Sequence, residues 1–540
     1  MPSLLAYLVD ARHAELVRPA RIHFASGRIT AIEPADAEPQ VYLVPGLVDA
    51  HVHIESSMLP PAEFGRWAAA QGTLATVSDP HEIANALGLA GVRYMLDEAA
   101  RSPIYHHLGA PSCVPATDAE TAGAVLTVAD TRTMLQDWGM PSLAEMMNWP
   151  GVLNKDETVL AKLALAHALG KPVDGHAPGL RGAQAAAYAQ AGISTDHECV
   201  AADEAREKLA SGMKILIRQG SAARNLPALH PLVAEAPGRV MLCTDDCHPD
   251  TLIQGHVNRL VEQLLALGHD LADVLEAAHY TPKAHYGLPI GSLQIGDSAD
   301  FVVLPSLQNW SPLAVYRQGS LVAEHGKPLE AYRQAPAPNR FAATPVEAAD
   351  FTLPTYQDGA LYPVIVAEDG QLITQIAYHD TSIGTPCPDI ATDTLLLAVV
   401  NRYEAKVKPA TALIRGFGLK TGAAASSVAH DSHNVVAVGT SAEALAAAVN
   451  AVIATGGGLA LVDAAGRAST LPLPIAGLMS DRPGPEVSAA YQALEAQARA
   501  QGATPKATFM LLSFMALLVI PKLKLSDRGL FDGERFAFYA

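Results

Sequence analysis

The sequence predicts an α/β protein whose largest part is a TIM-like (β/α)8 barrel. Short apolar runs that end in polar residues alternate with alanine- and leucine-rich stretches of helical period. Eight strand–helix units over about 245 residues have the size and rhythm of such a barrel. In chain order, the eight runs are GLVDAHVHIE, TLATVSDPHE, YHHLGAPS, PSLAEMM, KPVDGHAP, ISTDHE, KILIRQGS and VMLCTDD.

Two segments of β character flank the barrel. The first 45 residues contain short β-like runs with Gly27 at a turn, and residues 291–304, GSLQIGDSADFVVL, form a turn into a strand. We expect residues 1–45 and 291–345 to form one small, discontinuous, β-sandwich-like domain around a barrel of residues 46–290. A proline-rich linker ends this part of the chain.

A C-terminal α/β (α+β) domain is expected over residues 350–540. There, strand-like runs such as NVVAVGT and GLALVD alternate with helical ones such as SAEALAAAVNAVIAT. The apolar run FMLLSFMALLVI is too short to span a bilayer, so it predicts a buried strand or core helix. Within the barrel, Asp156 and Gly170 are placed to begin and end one helix.

Composition narrows the class of protein. The chain has 540 residues, is 49% hydrophobic and 17% charged, and carries a formal net charge of −18. An acidic chain without a basic face argues against a nucleic-acid binder, and no secretory signal or membrane span is apparent. Five cysteines without a CxxC pair favour a reduced, cytoplasmic protein. Cys243 and Cys247 are expected to pack in the core rather than form a disulfide or bind zinc.

Two histidines end the first barrel strand. His51 and His53 are one residue apart, so their side chains share a face of the strand with Asp49. Two imidazoles at the mouth of a barrel are half of a transition-metal site. An HxH pattern alone is weak evidence, because two polar side chains often share a face.

Four other strand ends supply further ligands. The fourth ends in Glu145, the fifth in His176, the sixth in His197 and the eighth in Asp245. Catalytic residues of such barrels lie at the carboxyl ends of the strands, so these groups should converge with the histidine pair. Six buried polar groups without an ion would be costly. The sequence therefore predicts two metal ions bridged by a carboxylate.

Longer motifs resemble one family. The sequence is similar to adenine deaminases of the amidohydrolase superfamily over nearly its whole length. The resemblance is carried by PGLVDAHVHIESSM, DPHEIAN, SCVPAT, AEMMNWPGV, DGHAPGL, GSAARNL, LCTDD, VAHDSHNVVAVGT, LPLPIAGLMSD and LKLSDRGLFDGERFAF.

The resemblance implies a ligand set and a reaction. One of two divalent ions would be held by His51, His53 and Asp245, the other by His176 and His197, with Glu145 bridging both. Manganese or iron is the usual metal of the family and zinc is used as well; histidine and carboxylate ligands suit all three. A metal-bridged hydroxide would attack C6 of adenine, giving hypoxanthine and ammonia in purine salvage or catabolism. A homo-oligomer is also implied.

Asp245 would take the remaining proton of the water. The reaction also needs a second acid–base group, which protonates N1 of the purine. Glu82, at the end of the second strand, is our candidate proton shuttle, and the alternative is a helix-start carboxylate stabilised by the dipole. His81 is expected either to orient the substrate or to make a supporting hydrogen bond.

Several other polar groups have open roles. Glu55, Ser56 and Ser57 are expected to line the pocket or cap the next helix, and Asp246 to orient its neighbour. Arg218, Gln219, Ser221 and Asn225 follow the seventh strand, where purine contacts are expected. For the motif of His430, Asp431, Ser432 and His433, three roles are open: an extra metal, a reach into the active site of this or another subunit, or a domain interface.

Two positions depart from the family pattern. Gln219 stands where the family usually has glutamate, and Cys247 where it commonly has arginine or a similar large residue. If Gln219 faces the base, substrate preference could shift away from adenine. The alternatives are therefore a related amidohydrolase acting on another 6-aminopurine or a cyclic amide, or a catalytically silent purine-binding paralogue.

Overall fold

The computed structural model describes residues 2–222, 224–356 and 361–539. The chain forms two compact units. The barrel unit comprises the residues up to Pro80, Tyr94–Ser112 and Thr127–Arg333, and the C-terminal unit comprises His81–Arg93, Cys113–Leu126 and the residues from Gln334 onward. No helix in these described stretches has the length and apolar character needed to cross a membrane.

Eight parallel strands form the predicted barrel. Parallel pairing joins the first three strands, the fourth to the fifth, and the sixth through the eighth. A single bridge between Ala110 and Leu143 links the third strand to the fourth, and a two-residue strand that follows the eighth pairs with the first. After the four N-terminal strands described below, the barrel strands are β5 (Leu47–His53), β6 (Thr73–Ser78), β7 (Tyr105–Leu108), β8 (Leu143–Met146), β9 (Val173–Gly175), β10 (Thr195–Asp196), β11 (Lys214–Arg218) and β12 (Val240–Cys243), and the closing strand is β13 (Asp245–Asp246).

Helices follow the strands because helical and strand periods alternate in the sequence. They are α1 (Pro61–Ala70), α2 (His81–Leu87), α3 (Leu89–Ala99), α4 (Val128–Arg132), α5 (Trp149–Leu153), α6 (Glu157–Ala168), α7 (Gly182–Gln190), α8 (Ala202–Ala210), α9 (Leu226–Leu229), α10 (Leu232–Glu235), α11 (Pro249–Gln254), α12 (Val257–Ala266), α13 (Leu271–Leu275) and α14 (Thr281–Tyr286). Asp156 caps α6, since its carboxylate accepts the Val159 N–H over 2.9 Å, and Gly170 follows the helix in the left-handed region, as predicted.

One eight-stranded sheet joins the two ends of the barrel unit. It combines β1 (Ser3–Val9), β2 (Val17–Ala25), β3 (Arg28–Pro34) and β4 (Tyr42–Pro45) with β14 (Phe301–Leu304), β15 (Ala314–Arg317), β16 (Ser320–Glu324) and β17 (Lys327–Pro328). The two segments meet where β4 pairs antiparallel with β14. Apolar side chains that include Leu8, Ile22 and Phe301 form its core.

The C-terminal unit contains a second eight-stranded sheet, in the order β19-β18-β21-β20-β23-β22-β24-β25. Its strands are β18 (Leu361–Val366), β19 (Gln375–Asp380), β20 (Leu395–Val400), β21 (Ala410–Arg415), β22 (Ala423–Ser426), β23 (Val435–Gly439), β24 (Gly458–Val462) and β25 (Ala468–Pro472). Helices α15 (Ala442–Ala454), α16 (Gly484–Ala500) and α17 (Thr508–Ser513) and the short strands β26 (Leu523–Ser526), β27 (Gly529–Asp532) and β28 (Ala537–Phe538) complete it. Helix α17 is fully buried, so the apolar run near the C-terminus is a core helix.

Candidate metal centre

Glu145 lies between two pairs of histidines. Its Oε1 is 3.2 Å from His53 Nε2 and 3.9 Å from His51 Nε2. Its Oε2 is 2.9 Å from His176 Nδ1 and 3.3 Å from His197 Nε2. The five side chains are buried. The structure thus brings together groups from four different strand ends, with a different carboxylate oxygen facing each pair.

Asp245 completes the group around the first pair. Its Oδ1 is 3.5 Å from His51 Nε2 and 3.3 Å from His53 Nε2, and these two nitrogens are 3.2 Å apart. Asp245 has a φ of +62°, in the left-handed region that non-glycine residues rarely adopt. Such local strain is typical of functional sites.

Arg218 and Glu198 extend the group. Arg218 donates to Asp245 Oδ2 over 2.6 Å and to both oxygens of Glu198, over 2.6 and 2.9 Å. Glu198 Oε1 also lies 3.5 Å from His176 Nδ1 and 3.4 Å from His197 Nε2. Sequence reasoning missed Glu198, although it directly follows His197 in a strand-end motif. Arg218, predicted near the purine, is only 3% exposed and contacts these carboxylates.

Further side chains hold the ligand-bearing segments in place. The carbonyl of Asp79 lies 3.2 Å from His53 Nδ1, which leaves His53 Nε2 facing the carboxylates. Asp49 accepts the Thr244 N–H over 3.0 Å, one residue before Asp245. Lys208, which is fully buried, donates to the carbonyl of Ala177 over 2.7 Å and lies 3.3 Å from Asp196.

The donor set fits divalent cations. The ligand atoms of His51, His53 and Asp245 lie within 4.8 Å of one another, as do those of His176, His197 and Glu198. Among the described residues, His176 Nε2 is buried without a hydrogen-bond partner. Imidazole and carboxylate ligands suit manganese, iron and zinc.

Electrostatics point the same way. Burial raises the pKa of Glu145, but the hydrogen bonds to His176 and His197 and the charges of His51 and His53 outweigh burial and hold that pKa well below its ordinary value. Burial lowers the pKa of His197, yet hydrogen bonds to Glu145 and Glu198 raise it to about 10. The buried carboxylates therefore stabilise positive charge in their surroundings, and bound divalent ions would supply that charge.

Glu82 and His81 lie in the first turn of α2, in the C-terminal unit. His430 Nδ1 is hydrogen-bonded to Glu82 Oε1, and His433 Nε2 to Glu82 Oε2. His81 Nε2 is 3.7 Å from Glu82 Oε1 and 3.5 Å from Asp431 Oδ1. Within this unit, the DPHE motif and the HDSHN motif therefore form one buried cluster, which sequence reasoning did not connect.

The two positions that depart from the family pattern line the same cavity. Gln219 and Cys247 both line a cavity of about 470 Å³ in the barrel unit, together with Thr244. Gln219 Nε2 donates to Gln263 Oε1 over 3.3 Å. The six predicted metal ligands are not part of this lining in the described structure. Gln219 and Cys247 thus line one cavity together with Thr244, and they do not lie among the predicted metal ligands.

Ser221 and Asn225 support the backbone around the centre. The Ser221 hydroxyl accepts the His248 N–H over 2.9 Å. Asn225 Oδ1 accepts the Arg218 N–H over 2.8 Å, and its Nδ2 donates to the carbonyl of Cys199 over 2.9 Å. These contacts hold together the segments that follow β10 and β11.

Glu55, Ser56 and Ser57 form a buried 3₁₀ turn directly after His53. The alternative that they cap the next helix is wrong, because the residue at that cap, Pro60, offers no side-chain acceptor. Ser56 instead donates to the carboxylate of Asp246.

The cysteines of the CxxxC pattern behave as predicted. Cys243 and Cys247 are free and buried, so neither forms a disulfide.

Comparison with known proteins agrees with the barrel. Residues 42–322 match the sequence model of the Amidohydrolase family. The fold and the site therefore define an amidohydrolase, a family that uses divalent metal ions.

The particular family follows from the rest of the chain. Residues 371–537 match the model named Adenine deaminase C-terminal domain. An adenine deaminase of Salinibacter ruber is 52% identical over 99% of this chain and 98% of its own length. Those of a Sulfurovum species and of Methanosarcina mazei are 49% and 44% identical, over 96% and 100% of this chain and 96% and 99% of theirs. The chain belongs to the adenine deaminase family.

Proposed function

We propose that this protein hydrolyses adenine to hypoxanthine and ammonia. The names of its relatives support this substrate. The observation that carries the proposal is the placement of Glu145, with one oxygen facing each histidine pair. We propose a role in purine salvage or catabolism. The five free cysteines favour a reducing compartment, so we place the protein in the cytoplasm. An assembly of two or more copies is also proposed, on the resemblance alone.

The metal site would hold two ions. We assign His51, His53 and Asp245 to one, His176 and His197 to the other, and Glu145 to both. Manganese or iron is the proposed metal, and zinc also suits the donor set. When bound, the ions supply Lewis acidity, which lowers the pKa of bound water toward neutrality.

Asp245 is the proposed base. Burial raises the pKa of Asp245, but Arg218, His51 and His53 hold it well below its ordinary value, so the carboxylate is ionised and able to accept a proton. Arg218 fixes one of its oxygens and leaves the other toward the histidines. As the water oxygen bonds to C6 of adenine, Asp245 takes one proton from that water.

Glu82 is the proposed proton shuttle. It lies four residues beyond Ser78, the last residue of β6, in the first turn of α2. It would take the other proton of the attacking water and deliver it to N1 as the C6–O bond forms, while neighbouring His81 orients the reacting groups. The proton held by Asp245 then passes to the exocyclic amino group, the C6–N bond breaks, and ammonia leaves as hypoxanthine forms.

The test is a purine panel with ammonia detection. Manganese-loaded protein should release ammonia from adenine faster than from other 6-aminopurines or cyclic amides. Glu82→Gln should lower kcat by about 10²–10⁴ with unchanged metal content, because an amide cannot transfer a proton. The matched control is Glu443→Gln, an exposed carboxylate in the first turn of α15. Normal turnover by Glu82→Gln would reject the shuttle, and a metal-replete wild type inert toward adenine would reject the proposed substrate.

A further inference from the structure

Glu82 is held at both ends of its carboxylate. His430 is hydrogen-bonded to one oxygen and His433 to the other, through Nδ1 and Nε2 respectively. Glu82 and His433 are 1% exposed and His430 is 5% exposed. A carboxylate offers about four lone-pair positions, so two N–H donors leave one open position on each oxygen.

The tautomer of His433 follows from its other contact. The backbone N–H of Ala429 donates to His433 Nδ1 over 3.2 Å. A ring nitrogen that accepts a hydrogen bond carries no proton, so the proton of a neutral imidazole must lie on Nε2. His433 therefore donates from Nε2 to Glu82.

The loop that carries both histidines is fixed from several sides. Tyr403 donates from its hydroxyl to the carbonyl of Ser432 over 2.5 Å. Asn434 Oδ1 accepts the Arg402 N–H over 3.1 Å. The His430 ring stacks on Phe514, with centroids 5.0 Å apart and planes at 14°. A loop held this way presents both N–H donors at fixed positions.

We propose that His430 and His433 are positioning residues for the proton shuttle, fixing the plane of the Glu82 carboxylate so that each oxygen keeps one open position. The inference rests on the proposed function of Glu82 as the shuttle. One open position receives a proton and another delivers it, without rotation of the carboxylate.

The charge balance supports the same role. Burial raises the pKa of Glu82, but His430, His433 and His81 outweigh burial and hold it well below its ordinary value. A carboxylic acid made stronger in this way gives up its proton readily to a ring nitrogen. The donors thus keep Glu82 ionised between transfers, so that it can accept a proton from the attacking water.

Matched amide substitutions test the geometry. Asparagine places an N–H near the Nδ1 position of histidine, and glutamine near the Nε2 position. We expect His430→Asn and His433→Gln to keep most of the activity. The mismatched variants His430→Gln and His433→Asn should lower kcat for adenine about 10- to 100-fold, with metal content unchanged. The same variants should change KM by less than about threefold, because ground-state binding is untouched.

A control variant and an activity-independent readout separate the outcomes. His379→Asn alters another histidine of the same unit, whose ring nitrogen lies 3.0 Å from the carbonyl of Gly384, and should leave kcat unchanged. Histidine-selective ¹⁵N NMR of the zinc-loaded full chain should give His433 as the Nε2–H tautomer. The Nε2–H resonance of His433 and the Nδ1–H resonance of His430 should both shift in Glu82→Gln.

Each result decides one proposal. Two NMR results would overturn the hydrogen bonds from the histidines to Glu82, whether or not adenine is the substrate. One is an Nδ1–H tautomer of His433, and the other is that the two N–H resonances do not shift in Glu82→Gln. Equal kcat in matched and mismatched variants of an active enzyme would overturn the positioning role and leave the deaminase assignment standing. Failure of the wild type on adenine with the NMR shifts present would reject the proposed function alone.

Discussion

Removal of the buried cation Arg218 should destabilise the barrel unit strongly. Arg218 donates three hydrogen bonds of 2.6–2.9 Å to Asp245 and Glu198, and all three residues are at most 6% exposed. Arg218→Met would leave two buried carboxylates without their cation, a loss of about 3–5 kcal/mol. At roughly 2–4 °C per kcal/mol for a domain of this order of size, Tm should fall by about 6–20 °C. Differential scanning calorimetry measures this shift.

The matched control is Arg206→Met. Arg206 pairs with Glu235 at 2.9 Å, but the two side chains are 51% and 44% exposed. A solvent-exposed pair contributes little to stability, so this variant should unfold close to the temperature of the wild type. The reasoning fails if Arg218→Met is no less stable than Arg206→Met. The loss should be largest after chelation, because bound divalent ions offset part of the missing positive charge.

Three further changes have defined outcomes. Gly220→Ala would place a Cβ 2.0 Å from the carbonyl oxygen of Thr244 and 2.4 Å from that of Asp246, so elemental analysis should find less bound metal. Asp156→Ala removes the α6 cap and should lower the free energy of unfolding by about 0.5–2 kcal/mol in urea titrations, with metal content unchanged. Burial lowers the pKa of Lys524 to about 7, whereas the unfolded chain titrates near 10.4. Between these two pH values the unfolded state binds more protons than the folded state, so the free energy of unfolding should rise by at most ~1.4 kcal/mol per pH unit. Lys524→Met should flatten this pH dependence. A slope equal to that of the wild type would contradict the prediction.

The barrel was predictable because its signals are local. Each strand is a short apolar run, each helix has its own period, and carboxyl strand ends meet at one rim of the barrel. His51 and His53 point the same way for reasons of strand geometry alone. Asp156 was identifiable as a cap from its position before a helical run.

The contacts between distant motifs were not predictable in the same way. The pairing of Glu82 with His430 and His433 joins residues about 350 positions apart in the sequence, and neither motif contains a periodic signal for the other. Glu198 was missed because strand-end reasoning selected the histidine before it. The bridge from Arg218 to two carboxylates depends on side-chain directions at two strand ends, which residue spacing does not specify.

The central claim is that two ions at one carboxylate-bridged centre drive adenine hydrolysis. The most direct measurement is the rate of ammonia release from adenine as manganese is added back to the metal-depleted chain. We predict that the rate rises to a break at two equivalents per chain, and that Glu145→Gln abolishes this rise. A break at one equivalent, or a rate that does not depend on metal, would contradict the account.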